Sequence, residues 1–249
     1  MAAVPAQPLP DNEIERILVV TAHPDDVDFG SAGSIATFTD AGIEVVYCIC
    51  TDGDAGGFDL EFPRDQIAGI RRAEQIEAAK RVGVHDVRFL GYPDGRLVAS
   101  FELRRDISRV IRQVRPQRML VSSPVRDYER VGRSHPDHRA AGEAALDAMY
   151  PDARNPFVYP ELRFEEGLDA WSVLETWIMG GVGNGAPLHY VDVTDNFDRK
   201  ISALRAHESQ TAHVDNLEVW VGGWLEANAK AAGFAEGRKA ESFLVMATT

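Results

Sequence analysis

Residues Ile17-Leu18-Val19-Val20-Thr21-Ala22-His23-Pro24-Asp25-Asp26 pass from an unbroken apolar run into a turn dense in histidine and carboxylate. A short apolar run of this kind reads as a strand buried on both faces, as parallel sheets require. Outward from it the pattern recurs. Ile43 to Cys50 is a second β-branched run, and Ser34 to Ala41 between them carries Ile35 and Phe38 at helical spacing before Gly42. Gln66 to Val82 is the strongest helical signal, closed by Gly83, and Val87 to Leu90 is a third strand. A helix over Leu103 to Val114, a strand at Met119 to Val121 and a helix over Asp137 to Met149 continue the alternation. After Tyr150 the pattern loosens through Pro151, Pro156 and Pro160; strands are expected at 171–179, 189–193 and 243–246, and helices at 196–207 and 217–231. Strand–helix alternation implies right-handed crossovers. The expected fold is a three-layer α/β, Rossmann-like, mostly parallel sheet with helices on both faces, in one domain over 12–249 after a flexible tail at 1–11.

Composition narrows the function classes. With 249 residues and 45% hydrophobic content, the chain can bury one large core. Its 26 basic and 39 acidic side chains leave a formal charge of −13, a field that repels phosphate backbones, so no nucleic-acid partner is expected. No apolar run reaches the roughly 18 to 20 residues of a membrane span, and Met1 to Pro10 lacks both the basic residue and the apolar segment of a signal peptide. Cys48 and Cys50, two apart on one strand face, can build neither a disulfide framework nor a four-cysteine zinc cage. A soluble cytoplasmic protein with a small-molecule substrate is expected; homo-oligomerisation is left open.

In open parallel sheets, ligands bind beyond the carboxyl ends of the strands. Two clusters fall there: Thr21 to Asp26 after the first strand, and Ser134-His135-Pro136-Asp137-His138 after the fourth. Zinc takes imidazole and carboxylate donors, and a catalytic site uses three protein ligands with a position left for water. His23 and Asp26, three apart across a turn, can converge on one ion, and His138 completes a two-histidine, one-carboxylate set. Asp25 then stands beside the metal, placed to take a proton from water. Each cluster alone also reads as an ordinary turn or helix cap, since Pro136 suits the first helical position. Their recurrence at two strand ends favours the metal reading.

The Ala-His-Pro-Asp-Asp segment paired with the distant His-Pro-Asp-His resembles the LmbE-like, or PIG-L, family of zinc-dependent N-deacetylases. The similarity extends through Thr51 to Gly57, Arg71 and Glu74, Leu90 to Gly95, and His207-Glu208-Ser209-Gln210. It implies one zinc ion per chain, with other divalent metals able to take the same donors, held by His23, Asp26 and His138. It also implies Asp25 as general base, His135 as the histidine that assists the tetrahedral intermediate, and Arg71 and Asp94 as residues that hold sugar hydroxyls. The implied reaction removes an N-acyl group, typically acetyl, from an amino-sugar compound; a relative's variant cleaves a sugar–thiol conjugate at its amide. One departure stands out: some sugar–thiol deacetylases carry a tyrosine two residues before the first histidine of the second motif, where this chain has Arg133. Arg133, Tyr128 and Arg126 are the candidates to replace it at the oxyanion.

Amide hydrolysis needs a strong nucleophile, a polarised carbonyl and a protonated leaving nitrogen. His135 is expected to act as an imidazolium, at the oxyanion or toward the amine; its other reading is a residue that only orients Asp25 or a ligand. Arg71 and Glu74 also read as a surface helix pair, Asp94 as a turn residue, and His207 as a cation at a helix end. Gly180 to Gly185 lacks the Lys-Ser/Thr of a phosphate loop and reads as a loop near the site. The four tryptophans read as core or interface residues. Competing functions are a non-haem iron enzyme with the same triad, a non-catalytic sugar-binding protein, and a dehydrogenase, the last opposed by the missing Gly-rich turn.

Overall fold

Alternation along β1 (Arg16–Thr21) sets the layering: Ile17 and Val19 join the core on one face of the sheet, Leu18 and Val20 the core on the other. All four are fully buried, each worth about 1.5–3 kcal/mol relative to exposure. The computed structural model describes residues 7–57, 62–180 and 186–248. β2 (Glu44–Thr51), β3 (Asp86–Tyr92), β4 (Arg118–Val121), β5 (Glu175–Met179), β6 (His189–Asp192) and β7 (Ala240–Ala247) complete a seven-stranded sheet of order β3-β2-β1-β4-β5-β7-β6. The pairings from β3 to β5 are parallel, and β7 runs antiparallel to β5 and β6.

α1 (Asp26–Asp40) and α2 (Arg64–Arg81) cover one face, contributing Ile35, Phe38, Ala78 and Ala79 to its core. α3 (Phe101–Val114) and α4 (Pro136–Asp147) cover the other with Leu103, Ile107, Ala141 and Ala144. α5 (Pro160–Phe164), α6 (Phe197–Arg205), α7 (Glu208–Thr211) and α8 (Leu217–Ala231) follow in the second half. Among the described residues, no helix is long and apolar enough to cross a membrane.

Four local expectations need correction. The first helix begins at Asp26, not Ser34, because the small residues of Gly30 to Gly33 interrupt the apolar period ahead of Ile35. Space demands them: a Cβ on Gly30 would lie 2.8 Å from Met179 Sδ, and one on Gly33 2.7 Å from Val193 Cβ. The fifth strand is confined to Glu175–Met179; Trp171 lies ahead of it, donating from Nε1 to Pro116 O at 2.7 Å. Part of the expected tail is tied down. Leu9 N–H donates to Glu175 Oε2 at 2.8 Å, and the fully buried Arg118 donates to Leu9 O and Asp11 Oδ1. The stretch 196–207 divides into α6 and the turn holding His207. Of the glycine-rich loop, residues 181–185 lie outside the described residues.

The strand order reverses between β1 and β4, since β1 leads to β2 on one side while β4 flanks it on the other. The two His/Asp segments leave the carboxyl ends of these adjacent strands, so the fold brings residues over 110 positions apart to one crevice.

Candidate metal centre and active site

β1 ends in a turn that Asp26 itself closes. Its Oδ2 accepts from the backbone N–H groups of Ala22 at 3.1 Å and His23 at 2.8 Å, which turns the other oxygen, Oδ1, outward. Opposite, α4 opens with Pro136 at its first turn and approaches β4 closely: a Cβ on Gly142 would lie 2.2 Å from Ser122 O. That approach delivers His138. Its Nε2 lies 2.9 Å from Asp26 Oδ1 and 3.2 Å from His23 Nδ1, and His23 Nδ1 lies 3.6 Å from Asp26 Oδ2.

These separations test whether the residues suit a metal. Tetrahedral ligands at about 2.0–2.1 Å from zinc stand roughly 3.3 Å from one another. The three donors bracket that spacing, and two imidazole nitrogens facing each other need a shared proton or cation between them. His135, His23 and His138 also form a candidate ligand group, with ring centroids 5.1 to 5.3 Å apart. A second such group, His23 with Asp94 and Asp137, lies on the far side of the His23 ring. Asp94 Oδ1 is 2.9 Å and Asp137 Oδ2 3.3 Å from His23 Nε2. Asp137 is already engaged by Gly95 N–H at 2.7 Å and Leu97 N–H at 3.2 Å, and Asp94 by Ala55 N–H. Both therefore act as acceptors for His23 Nε2–H, which leaves Nδ1 as the ring nitrogen facing Asp26 and His138.

Charge follows the same geometry. Burial opposes a charged His23, but its hydrogen bonds to Asp26 and Asp94 outweigh that and push its pKa up to about 11. Burial acts likewise on His138 and is outweighed by Asp26, so its pKa is raised. On Asp26, burial is overcome by His138 and His23, which hold the carboxyl well below the usual range. Asp25 behaves oppositely: burial raises its pKa to about 6, with the Arg71 guanidinium opposing the rise. Its backbone is left-handed, φ 92°, a conformation that Asp tolerates better than most residues, and it forms the N-cap of α1.

His135 departs from its expected charge state. Its Nδ1 accepts from Asp137 N–H at 3.3 Å, capping α4, and burial together with the neighbouring His23 and His138 lowers its pKa. Its surroundings thus disfavour the imidazolium, and the contact at Nδ1 leaves Nε2 as the nitrogen free to carry a proton. Arg71 departs from its surface-pair reading. It is no surface partner of Glu74 but buried, donating to Gly53 O at 3.1 Å, Pro24 O at 2.6 Å and Asp25 Oδ2 at 3.1 Å. Glu74 instead accepts from Ser209 N–H and Oγ–H. His207 lies just past the end of α6, fully buried, with Nε2 2.8 Å from Asp28 Oδ2. Burial opposes its charge, but the Asp28 carboxylate outweighs that and raises its pKa, so a cation at the helix end is retained there. Tyr128 is 90% exposed, and Arg126 and Arg133 are exposed. The structure thus brings together His23, Asp25, Asp26, Asp94, His135 and His138, with Arg71 behind them. The residue reading missed Asp137 as a partner of His23, although it lies in the same His-Pro-Asp-His segment. It missed Gln75 and Asp28 for lack of any local signal.

The fold and this cluster define a class of α/β proteins with a His/Asp centre at the sheet's switch point. Residues 18–149 match the PIG-L family, described as GlcNAc-PI de-N-acetylase. The chain is 35% identical over 211 residues to the diacetylchitobiose deacetylase of Thermococcus kodakarensis, covering 85% of this chain and 75% of that protein. It is 30% identical over 243 residues to the 1D-myo-inositol 2-acetamido-2-deoxy-alpha-D-glucopyranoside deacetylase of Rhodococcus erythropolis, covering 79% and 81%. The solved N,N'-diacetylchitobiose deacetylase of Pyrococcus horikoshii superposes with a TM-score of 0.85 at 29% identity, covering 96% of this chain and 86% of that one. The chain belongs to the PIG-L family of deacetylases. A 4-carboxy-2-hydroxymuconate hydratase from Pseudomonas shares the fold at 18% identity and a TM-score of 0.76, so the fold alone does not set the reaction.

Proposed function

We propose that this protein is a zinc-dependent N-deacetylase that releases acetate and a free amine from an N-acetylated amino sugar. The convergence of His23 Nδ1, His138 Nε2 and Asp26 within 2.9 to 3.6 Å, with Asp25 next in sequence, carries the reading. His23, Asp26 and His138 would hold the ion, three protein ligands that leave a coordination position open. When bound, zinc supplies a Lewis acid for the acyl oxygen and lowers the pKa of a coordinated water to about 7.

The chain's own groups account for the remaining steps. Asp25, with its pKa near 6, is ionised at neutral pH and accepts the proton of the attacking water. Nucleophile oxygen then adds to the acyl carbon. His135, neutral with its proton on Nε2, donates a hydrogen bond to the oxygen that gains charge. Protonated Asp25 returns its proton to the departing nitrogen, so the C–N bond breaks with a neutral amine leaving and acetic acid remaining. The acid's own proton then passes to the amine or to solvent to give acetate. Arg71 holds Asp25 from behind. Asp94, half-turned to His23, orients that ligand rather than standing free for a sugar hydroxyl.

The likeness to deacetylases of diacetylchitobiose and of a GlcNAc-inositol supports an acetylated glucosamine unit as the substrate. Metal-stripped and zinc-loaded protein should be compared on N-acetylglucosamine, N,N'-diacetylchitobiose and a GlcNAc-inositol, with free amine and acetate both measured. Equimolar release that needs metal is expected. No amine from any of the three, or release unaffected by chelation, would overturn the proposal.

A further inference from the structure

The general base does not hang from its own loop alone. Asp25 N–H donates to Gln75 Oε1 at 2.8 Å. The other end of that amide, Nε2–H, donates to Asp28 Oδ2 at 2.8 Å, and the same oxygen lies 2.8 Å from His207 Nε2. Gln75, Asp28 and His207 are each fully buried. The amide is therefore polarised in one sense: a carboxylate oxygen at its nitrogen, a backbone donor at its oxygen.

Each member of this chain is anchored independently. α2 presents Arg71, Glu74 and Gln75 at i, i+3 and i+4 on one face, so the helix that supplies Gln75 also clamps Asp25 through Arg71. Glu74 accepts from Ser209 N–H at 2.7 Å and Oγ–H at 2.6 Å, which holds the His207 turn against α2. Lys200, fully buried, donates from Nζ to Asp28 O and Phe29 O at 2.7 Å each and is paired with the buried Glu241. Glu241 in turn accepts from Gly33 N–H and Ser34 N–H. The first turns of α1 are thus fixed by side chains from three other elements. The left-handed backbone of Asp25 is an unfavourable geometry that persists only where its surroundings hold it.

We propose that Gln75 is a positioning residue for Asp25, and that Asp28 and His207 complete a buried hydrogen-bond relay that sets the amide of Gln75. This rests on Asp25 being the base of the proposed reaction. Its consequence is that His207, 179 positions from Asp28 in sequence, acts on turnover without touching the substrate.

The test uses zinc-loaded full-length protein with N,N'-diacetylchitobiose as probe, and measures metal content, Tm, kcat and KM for each variant. Gln75→Met keeps the length and loses both hydrogen bonds; it should lower kcat about tenfold or more, with KM within about twofold and metal content unchanged. His207→Leu should lower kcat in the same direction. His207→Gln, whose amide nitrogen can replace Nε2, should restore it. The Gln75→Met/His207→Leu double variant should be no slower than Gln75→Met alone, because the relay is already broken. Unchanged kcat in Gln75→Met, losses that multiply in the double variant, or losses matched by lost metal would overturn the relay. Should Gln75→Met fail to fold, equal kcat in His207→Leu and His207→Gln would overturn it. Asp25→Asn separates the two readings: if it keeps its turnover, the base assignment fails, whereas an inactive Asp25→Asn beside a normal Gln75→Met sinks the relay alone.

Discussion

Arg71 Nη2 reaches two consecutive residues of the first motif, Pro24 O at 2.6 Å and Asp25 Oδ2 at 3.1 Å. One guanidinium nitrogen thereby fixes both the backbone of the turn and the side chain it presents. Arg71 Nη1 extends the clamp to Gly53 O, after β2, so three loop residues share one cation. Two of these bonds go to carbonyls whose partners would be hard to replace in a buried site. The arrangement makes Asp25 a carboxylate with one oxygen engaged, in a pocket that opposes its charge.

Asp25→Asn should separate catalysis from stability. Asn tolerates the left-handed backbone and keeps the side chain's volume, but accepts no proton, so kcat should fall roughly 10²- to 10⁴-fold at unchanged zinc content. The folded pKa of Asp25 is raised to about 6, so burial favours its protonated form. That contribution is fully present below about pH 4 and is lost as pH rises through 6. In metal-free protein at pH 8, the variant should gain about 1–2 kcal/mol, roughly 2 to 6 °C in Tm, a gain that vanishes near pH 4. A variant with normal turnover, or one less stable at pH 8, would count against this account.

Metal binding should expel protons. Without a cation, His23 is held protonated to about pH 11 and His138 has a raised pKa, both through their carboxylate partners. A ligating imidazole must give up its proton, so zinc affinity should fall as pH drops, with up to about two protons released per ion near neutrality. Calorimetric titrations in buffers of different ionisation enthalpy read this number directly. No proton release would mean that the ion binds elsewhere.

What the sequence discloses depends on how far each signal reaches. The buried run at Ile17 to Val20 and the His-Pro-Asp turn after it are local, so strand, turn and candidate ligands are readable together. The parallel order follows from strand–helix alternation, which is why His138 could be expected near His23 although it lies 115 positions further along the chain. The first turns of α1 are hidden because close packing against Met179 and Val193 demands glycine, and glycine carries no apolar period. Gln75 gives no signal at all: its partners Asp25 and Asp28 lie 50 and 47 positions away, and a lone glutamine on a helix ordinarily faces water. The lowered pKa of His135 follows from its burial and from two neighbouring imidazoles, facts of geometry that residue types do not carry.

Gly142 should be irreplaceable for the site while Gly69 is dispensable. A Cβ on Gly142 would meet Ser122 O at 2.2 Å, so Gly142→Ala must push α4 away from β4 and carry His138 with it. A loss of about 2–3 kcal/mol, roughly 5 to 10 °C in Tm, is expected, together with weaker zinc binding. Gly69, exposed in α2, has nothing within 4 Å of the same atom. Gly69→Ala should raise stability by about 0.5–1 kcal/mol through helix propensity alone. Equal melting temperatures for the two variants would show that the close approach of α4 is not structural.

Arg71 offers the sharpest contrast between binding substrate and holding the base. If it gripped a sugar hydroxyl, Arg71→Lys would chiefly raise KM. The structure gives its guanidinium to Gly53 O, Pro24 O and Asp25 Oδ2 instead, so the loss should fall on kcat. A pH profile sharpens the difference. The positive charge of Arg71 opposes the burial that raises the Asp25 pKa, and removing it lets burial act unopposed. Arg71→Met should therefore shift the acidic limb of kcat/KM to higher pH, with activity at pH 6 falling more steeply than activity at pH 8. Arg71→Lys keeps the charge and should leave that limb nearly in place, while still losing turnover because a single ammonium cannot span the carbonyls and the carboxylate at once. An acidic limb unmoved in Arg71→Met, with its loss wholly in KM, would return Arg71 to the substrate.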